Sequence, residues 1–173
     1  MEEPLISVVA DENLVRNDHL TIVIFSGDLD KVTAALNIAN GAAAMGMKTT
    51  LFFTFWGLNV LRKRAFAHPR SWLQRLWQPL NRGGIQRMPL SKLNFGGLGA
   101  FFLRKVMKRV NVLSPETLLA AAHEEGVRIV ACTVTMATLG LEKTDLRQDL
   151  IDDYAGVITY LETARQGSVN LFV

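Results

Sequence analysis

The chain has 173 residues, 49% apolar and 20% charged, with one cysteine, five prolines and a formal net charge of +3. A chain of this length fits one domain that buries roughly 70% of its unfolded surface, and the composition excludes a disordered chain or a disulfide scaffold. One cysteine and three histidines without ligand spacing exclude a zinc motif, and no apolar run approaches the ~20 residues of a membrane helix.

Residues 1–18 are polar at both ends around an apolar stretch at 5–10, and are expected to be a tail or an extra strand. Met1-Glu2-Glu3-Pro4 has no basic region and no long apolar core, so no secretory signal is read and a cytoplasmic protein is expected. Residues 19–173 are expected to form a single α/β domain.

Thr21, Ile22, Val23, Ile24 and Phe25 form a β-branched and aromatic run, the pattern of a strand covered on both faces. Ser26-Gly27-Asp28 follows and supplies helix N-cap chemistry. Val32, Ala35, Leu36, Ala39 and Ala43 then recur at helical spacing, and Gly46 fits the helix stop. Asn37 and Asn40 interrupt this Ala-rich helix and are expected at surface positions, with a subunit contact by one of them as the alternative. Residues 49–53 are the second strand, which completes a β-α-β unit with an expected right-handed crossover. A helical start is expected at 55–61.

The pattern degrades over 64–97, where Pro69, Pro79 and Pro89 are ten residues apart. A long basic excursion is expected at about 62–98, with short helical pieces around Trp72 to Trp77. A helix at 99–110 is expected to set Phe102, Leu103, Val106, Met107 and Val110 on one face. Arg104, Lys105, Lys108 and Arg109 would then lie on the other. Ser114-Pro115-Glu116 is a capped helix start, and that helix stops at Gly126. Residues 127–132 are the third strand, followed by a helix between Thr133 and Gly140. A short helix is expected at 142–150, a fourth strand at 154–157, a helix at 158–166 and a fifth strand at 169–173. This alternation predicts a doubly wound, mainly parallel five-stranded sheet.

Charge is unevenly spread. Residues 62–110 hold twelve Lys or Arg and no Asp or Glu, which leaves seven basic against sixteen acidic residues elsewhere. An anionic partner or intersubunit pairing fits such asymmetry. With Trp56, Trp72, Trp77, Phe101 and Phe102 interleaved, the stretch fits an anionic lipid surface or nucleic acid; lipid contact is the expectation retained, and nucleic acid is not expected.

Ligands of open parallel sheets bind beyond the carboxyl ends of the strands. Two segments lie there: Ser26-Gly27-Asp28, and Cys132-Thr133-Val134-Thr135. Cys132 ends its strand and precedes a helix, where free N–H groups favour the thiolate, the reactive form. The same residue also reads as the inert continuation of Ile129-Val130-Ala131 into the core. Ser26 and Gly27 fit either a backbone cradle for an anion or a plain capped turn. His19, His68 and His123 receive no role.

Phe25-Ser26-Gly27-Asp28-Leu29-Asp30, Ile38-Ala39-Asn40-Gly41-Ala42-Ala43-Ala44-Met45-Gly46-Met47 and Phe52-Phe53-Thr54-Phe55-Trp56-Gly57-Leu58 resemble the DsrE/DsrF-like family, in its DsrE-type sulfur-carrier branch. Pro89-Leu90-Ser91-Lys92-Leu93-Asn94-Phe95-Gly96, Ala131-Cys132-Thr133-Val134-Thr135-Met136, Gly156-Val157-Ile158-Thr159-Tyr160-Leu161 and Val169-Asn170-Leu171-Phe172 continue the match. The resemblance implies a flavodoxin-like sheet, a homo-oligomer, and a cysteine, here Cys132, that holds sulfur as persulfide or thiosulfonate. It implies rhodanese-like and TusA-like sulfur-relay partners and calls for no cofactor or metal. Ser26, Gly27, Thr133, Thr135 and Lys92 are the candidate substrate-contacting residues. Relatives with a second cysteine differ from this chain, which favours simple carriage over internal disulfide exchange. Two other readings stand beside this one: an anion- or nucleotide-binding module without cysteine chemistry, and a peripheral adaptor at the inner face of a membrane.

Overall fold

The computed structural model describes residues 18–63, 72 and 83–173. Strands β1 (His19–Ile24), β2 (Lys48–Phe53), β3 (Arg128–Cys132), β4 (Asp153–Ala155) and β5 (Val169–Phe172) form one sheet in the order β4-β3-β2-β1-β5. Every pairing is parallel. Helix α1 (Leu29–Ala44) joins β1 to β2. Helices α2 (Leu98–Arg109) and α3 (Pro115–Glu124) lie between β2 and β3. Helix α4 (Thr133–Leu139) leaves β3 directly, and α5 (Val157–Ala164) joins β4 to β5. This is the doubly wound α/β architecture that the alternation predicts, of the flavodoxin-like kind that the family resemblance implies.

Alternate strand residues sort onto two faces. Leu20, Ile22, Ile24, Leu51, Phe53, Ile129 and Ala131 meet α1 and α3 in the main core. Val23, Phe52, Val130, Cys132 and Ala155 form a smaller cluster on the other face, against Tyr160 of α5. The strand order explains the split. The chain steps from β1 to β4 in one direction and then returns past β1 to β5, so right-handed crossovers place α5 opposite α1 and α3.

Local chemistry sets the helix ends. The Ser114 hydroxyl accepts the Thr117 N–H at 3.2 Å, and Pro115 occupies the first turn. Gly46 follows α1 with φ of +80°, the left-handed conformation that a residue without Cβ takes freely. Asp28 is the N-cap of α1, but its carboxylate accepts the Ser26 hydroxyl at 2.8 Å instead of capping the helix. Asn40 is no plain surface residue: its amide donates to the Leu118 carbonyl at 3.0 Å and ties α1 to α3.

Three expectations change. Residues 142–150 do not form a helix. They make a single 3₁₀ turn at Lys143–Asp145, where the Asp145 carboxylate accepts the Glu142 N–H at 2.8 Å, and Leu146 then bridges to Arg62. The Asp145 bond caps the start of the turn; what ends it is Leu146, whose extended backbone leaves for the bridge to Arg62, followed by the Arg147 N–H donating to the Leu61 carbonyl at 2.8 Å. Residues 55–61 are likewise a 3₁₀ helix (Phe55–Leu61). In α2 the inward face is Ala100, Leu103, Arg104 and Met107, while Phe102 and Val106 point outward. Arg104 turns inward because its guanidinium donates to the Met88 carbonyl at 3.0 Å. Of the expected tail or extra strand at 1–18, residues 1–17 lie outside the described residues, as do His68 and the helical pieces around Trp72 to Trp77, Trp72 itself excepted.

Candidate functional site

Cys132 ends β3 with its side chain on the smaller-core face and is 5% exposed. The pairing of Phe53 with Ala131 brings the residue after β2, Thr54, beside the end of β3. The hydroxyls of Thr54 and Thr135 lie 2.9 Å apart, and the Phe55 N–H donates to Thr135 Oγ1 at 3.1 Å. Phe55 takes a left-handed φ of +43° to do so, an uncommon conformation for a residue with a side chain.

These groups act on the sulfur. Burial pushes the Cys132 thiol up. Hydrogen bonding from the Thr135 hydroxyl and N–H, the Thr54 hydroxyl and the Val134 N–H outweighs it, so the thiol ionises below its ordinary value. With the Thr135 hydroxyl proton turned to the sulfur, its oxygen is left to accept the Phe55 N–H. A thiolate is thereby stabilised by fixed donors in a site largely closed to water.

Of the other expected residues, Thr135 is buried at the sulfur and Thr133 is exposed just past it. Ser26 and Gly27 line a different pocket of about 510 Å³ beyond β1, with Phe25, Trp56, Lys31 and Arg87. There a Cβ on Gly27 would sit 2.6 Å from the Trp56 carbonyl oxygen, so the glycine permits a close backbone approach. Lys31 is held by Asp28 at 3.1 Å. Lys92 is exposed in a turn whose neighbour Ser91 bonds Asp30, and it is not among the groups that act on Cys132. Thr54 was absent from the expected set. The signal for it is register: the first residue beyond β2 must flank the end of β3 in a parallel pair.

The fold and this edge define a small α/β protein of five parallel strands with one thiol at the carboxyl end of an inner strand. The chain belongs to the DsrE/DsrF/DrsH-like family, whose sequence model matches residues 16–172. It is 48% identical over 154 residues to the uncharacterized protein YrkE of Bacillus subtilis strain 168, covering 88% of this chain and 95% of that one. It is 27% identical over 157 residues to the sulfur carrier protein DsrE2 of Allochromatium vinosum, covering 89% and 97% of the two chains. Among solved structures, a protein of unknown function, MTH1491 from Methanobacterium thermoautotrophicum, aligns over 90% of this chain and 98% of its own. The TM-score is 0.49 and the identity 17%.

Proposed function

We propose that the protein carries sulfane sulfur on Cys132, as persulfide or thiosulfonate, and passes it to a partner thiol in sulfur oxidation or trafficking. The carrying observation is the ring of donors from Thr54, Val134 and Thr135 that lowers the Cys132 pKa. The family and the likeness to a sulfur carrier support the same reading.

The chemistry balances with one thiol. The Cys132 thiolate attacks the outer sulfur of a donor persulfide. A new S–S bond forms, the donor's S–S bond breaks, and the donor leaves as thiolate. With thiosulfate the leaving group is sulfite; with tetrathionate it is thiosulfate, and Cys132 keeps the sulfonated half. An acceptor thiolate then attacks the sulfane sulfur bonded to Cys132, that S–S bond breaks, and Cys132 departs as thiolate. A low-pKa thiol leaves readily, so the same donors that ionise Cys132 favour delivery. Small rhodanese-like and TusA-like proteins fit as donor and acceptor, and turnover by this chain alone is then small. Ser26, Gly27, Thr133, Thr135 and Lys92 remain proposed contacts, with Thr54 added. A cytoplasmic location and a homo-oligomer belong to this reading. Val157, Ile158 and Leu161 of α5 and the edge residue Phe172 are exposed, on a sheet face that α5 covers, which supports assembly there.

The test is intact-mass spectrometry after incubation with thiosulfate, tetrathionate, polysulfide and a persulfidated rhodanese. A reductant-reversible sulfur adduct is expected on the wild type and absent from Cys132→Ser. No adduct from any donor on folded protein would overturn the proposal. Retained phosphate in the pocket beside Ser26 would then favour the anion-binding alternative.

A further inference from the structure

The sulfur-carrier reading leaves the basic, aromatic segment before α3 without a task. Leu93 and Phe95 are 71% and 73% exposed and are held outward by left-handed backbone, with φ of +57° and +40°. Large apolar residues rarely adopt that conformation, and still less often to face water. Gly96 and Gly97 complete the left-handed turn and start α2. Along α2, Leu98, Phe102 and Val106 make an exposed row four residues apart, flanked by Phe101, whose ring meets Phe102 edge-on at 5.7 Å. Lys105 and Arg109 rise from the same face between these side chains, Lys108 and Lys92 lie beside it, all four are exposed, and no acid occurs from 62 to 110. The helix is anchored by Ala100 and Met107, buried on its opposite side.

We propose that residues 92–110 form an interfacial element that seats the protein on an anionic lipid bilayer. Leu93, Phe95, Leu98, Phe101, Phe102 and Val106 would enter the acyl boundary, and the four cations would meet the headgroups. The choice of occupant rests on complementarity. A two-fold contact of this patch with a second copy of itself would gather eight cations in one interface, with no acid from 62 to 110 on either copy to offset them. Nucleic acid would use the cations and the aromatic rings but not Leu93, Leu98 and Val106, which offer nothing to stack on. An anionic bilayer satisfies the apolar row and the cations together.

The experiment is co-sedimentation of the full chain with large vesicles of phosphatidylcholine alone or containing phosphatidylglycerol, at low and high salt. Binding is expected to need the anionic lipid and to weaken at high salt. Phe101→Ser with Phe102→Ser should reduce binding at least tenfold. Lys105→Glu with Lys108→Glu should reduce it by more than the about fivefold expected for each cation removed. All four side chains are exposed, and circular dichroism with thermal melting checks that the variants keep the wild-type fold. Cys132→Ser should bind vesicles as the wild type does, which separates this surface from the sulfur chemistry. Absence of vesicle binding at low salt would overturn the proposal. So would binding that the two double variants leave unchanged, or vesicle-independent pairing of chains that the Phe101 and Phe102 variant abolishes.

Discussion

A thiolate gains most from hydrogen bonds where water cannot supply them, and Cys132 is placed accordingly. Its pKa lies below the ordinary thiol value of 9.0 because the Thr135, Thr54 and Val134 donors outweigh burial. The linkage follows with a definite sign. Between the native and unfolded pKa values the unfolded chain binds the extra proton, so native stability rises with pH across that window. The gain is complete above the unfolded value and is lost as pH falls through the native one. Urea unfolding of wild type against Cys132→Ala should therefore show a difference that widens as pH climbs towards 9.0 and then levels. Thr135→Val removes a donor while nearly keeping the shape. It should raise the Cys132 pKa, read from thiolate absorbance in an ultraviolet titration, and slow sulfur loading at neutral pH several-fold. An unmoved titration would mean that the hydroxyl does not act on the sulfur.

Elements explain what the sequence made legible. Strands β1, β2 and β3 were readable because a parallel strand covered on both faces is one continuous apolar run. Cys132 was readable for the same reason: a run that stops at a helix start marks a carboxyl edge. Thr54 was not, since nothing local in the chain relates it to Cys132; only strand register does. The orientation of α2 was hidden because apolar residues lie on both its sides, and periodicity alone gives no inward direction. The stop after a single 3₁₀ turn at Lys143–Asp145 was hidden because it depends on Leu146 pairing with Arg62, far away in the chain. Close packing between elements supplies another test. A Cβ on Gly57 would overlap the Ile24 carbonyl oxygen, where the Phe55–Leu61 turn rests on the end of β1. Gly57→Ala should cost about 3 kcal/mol in chemical unfolding. Gly41 lies in α1 with open space around it, so Gly41→Ala should stabilise by about 0.5–1 kcal/mol. Equal effects from the two would refute the close approach.

At the scale of the whole molecule, two surfaces among the described residues gather several apolar side chains left in water. One is the α2 patch with its cations. The other is α5 with Phe172, on the Cys132 side of the sheet. If copies of the chain meet there, Ile158→Asp with Leu161→Asp should turn the oligomer into a monomer in analytical ultracentrifugation. The circular dichroism spectrum should be unchanged, because both side chains already face solvent. A wild type that sediments as a monomer would remove that surface from the assembly proposal and leave it to the relay partners.

The sheet order also governs the timing of synthesis. β1 is an inner strand, yet one of its two neighbours, β5, pairs Val169 with Leu20 from the far end of the described chain. While the ribosome makes everything between them, β1 keeps one bare row of amide and carbonyl groups, the kind of edge on which nascent chains aggregate. Translation speed and chaperone access over that interval therefore bear on the yield of folded protein more than the burial of the finished sheet suggests.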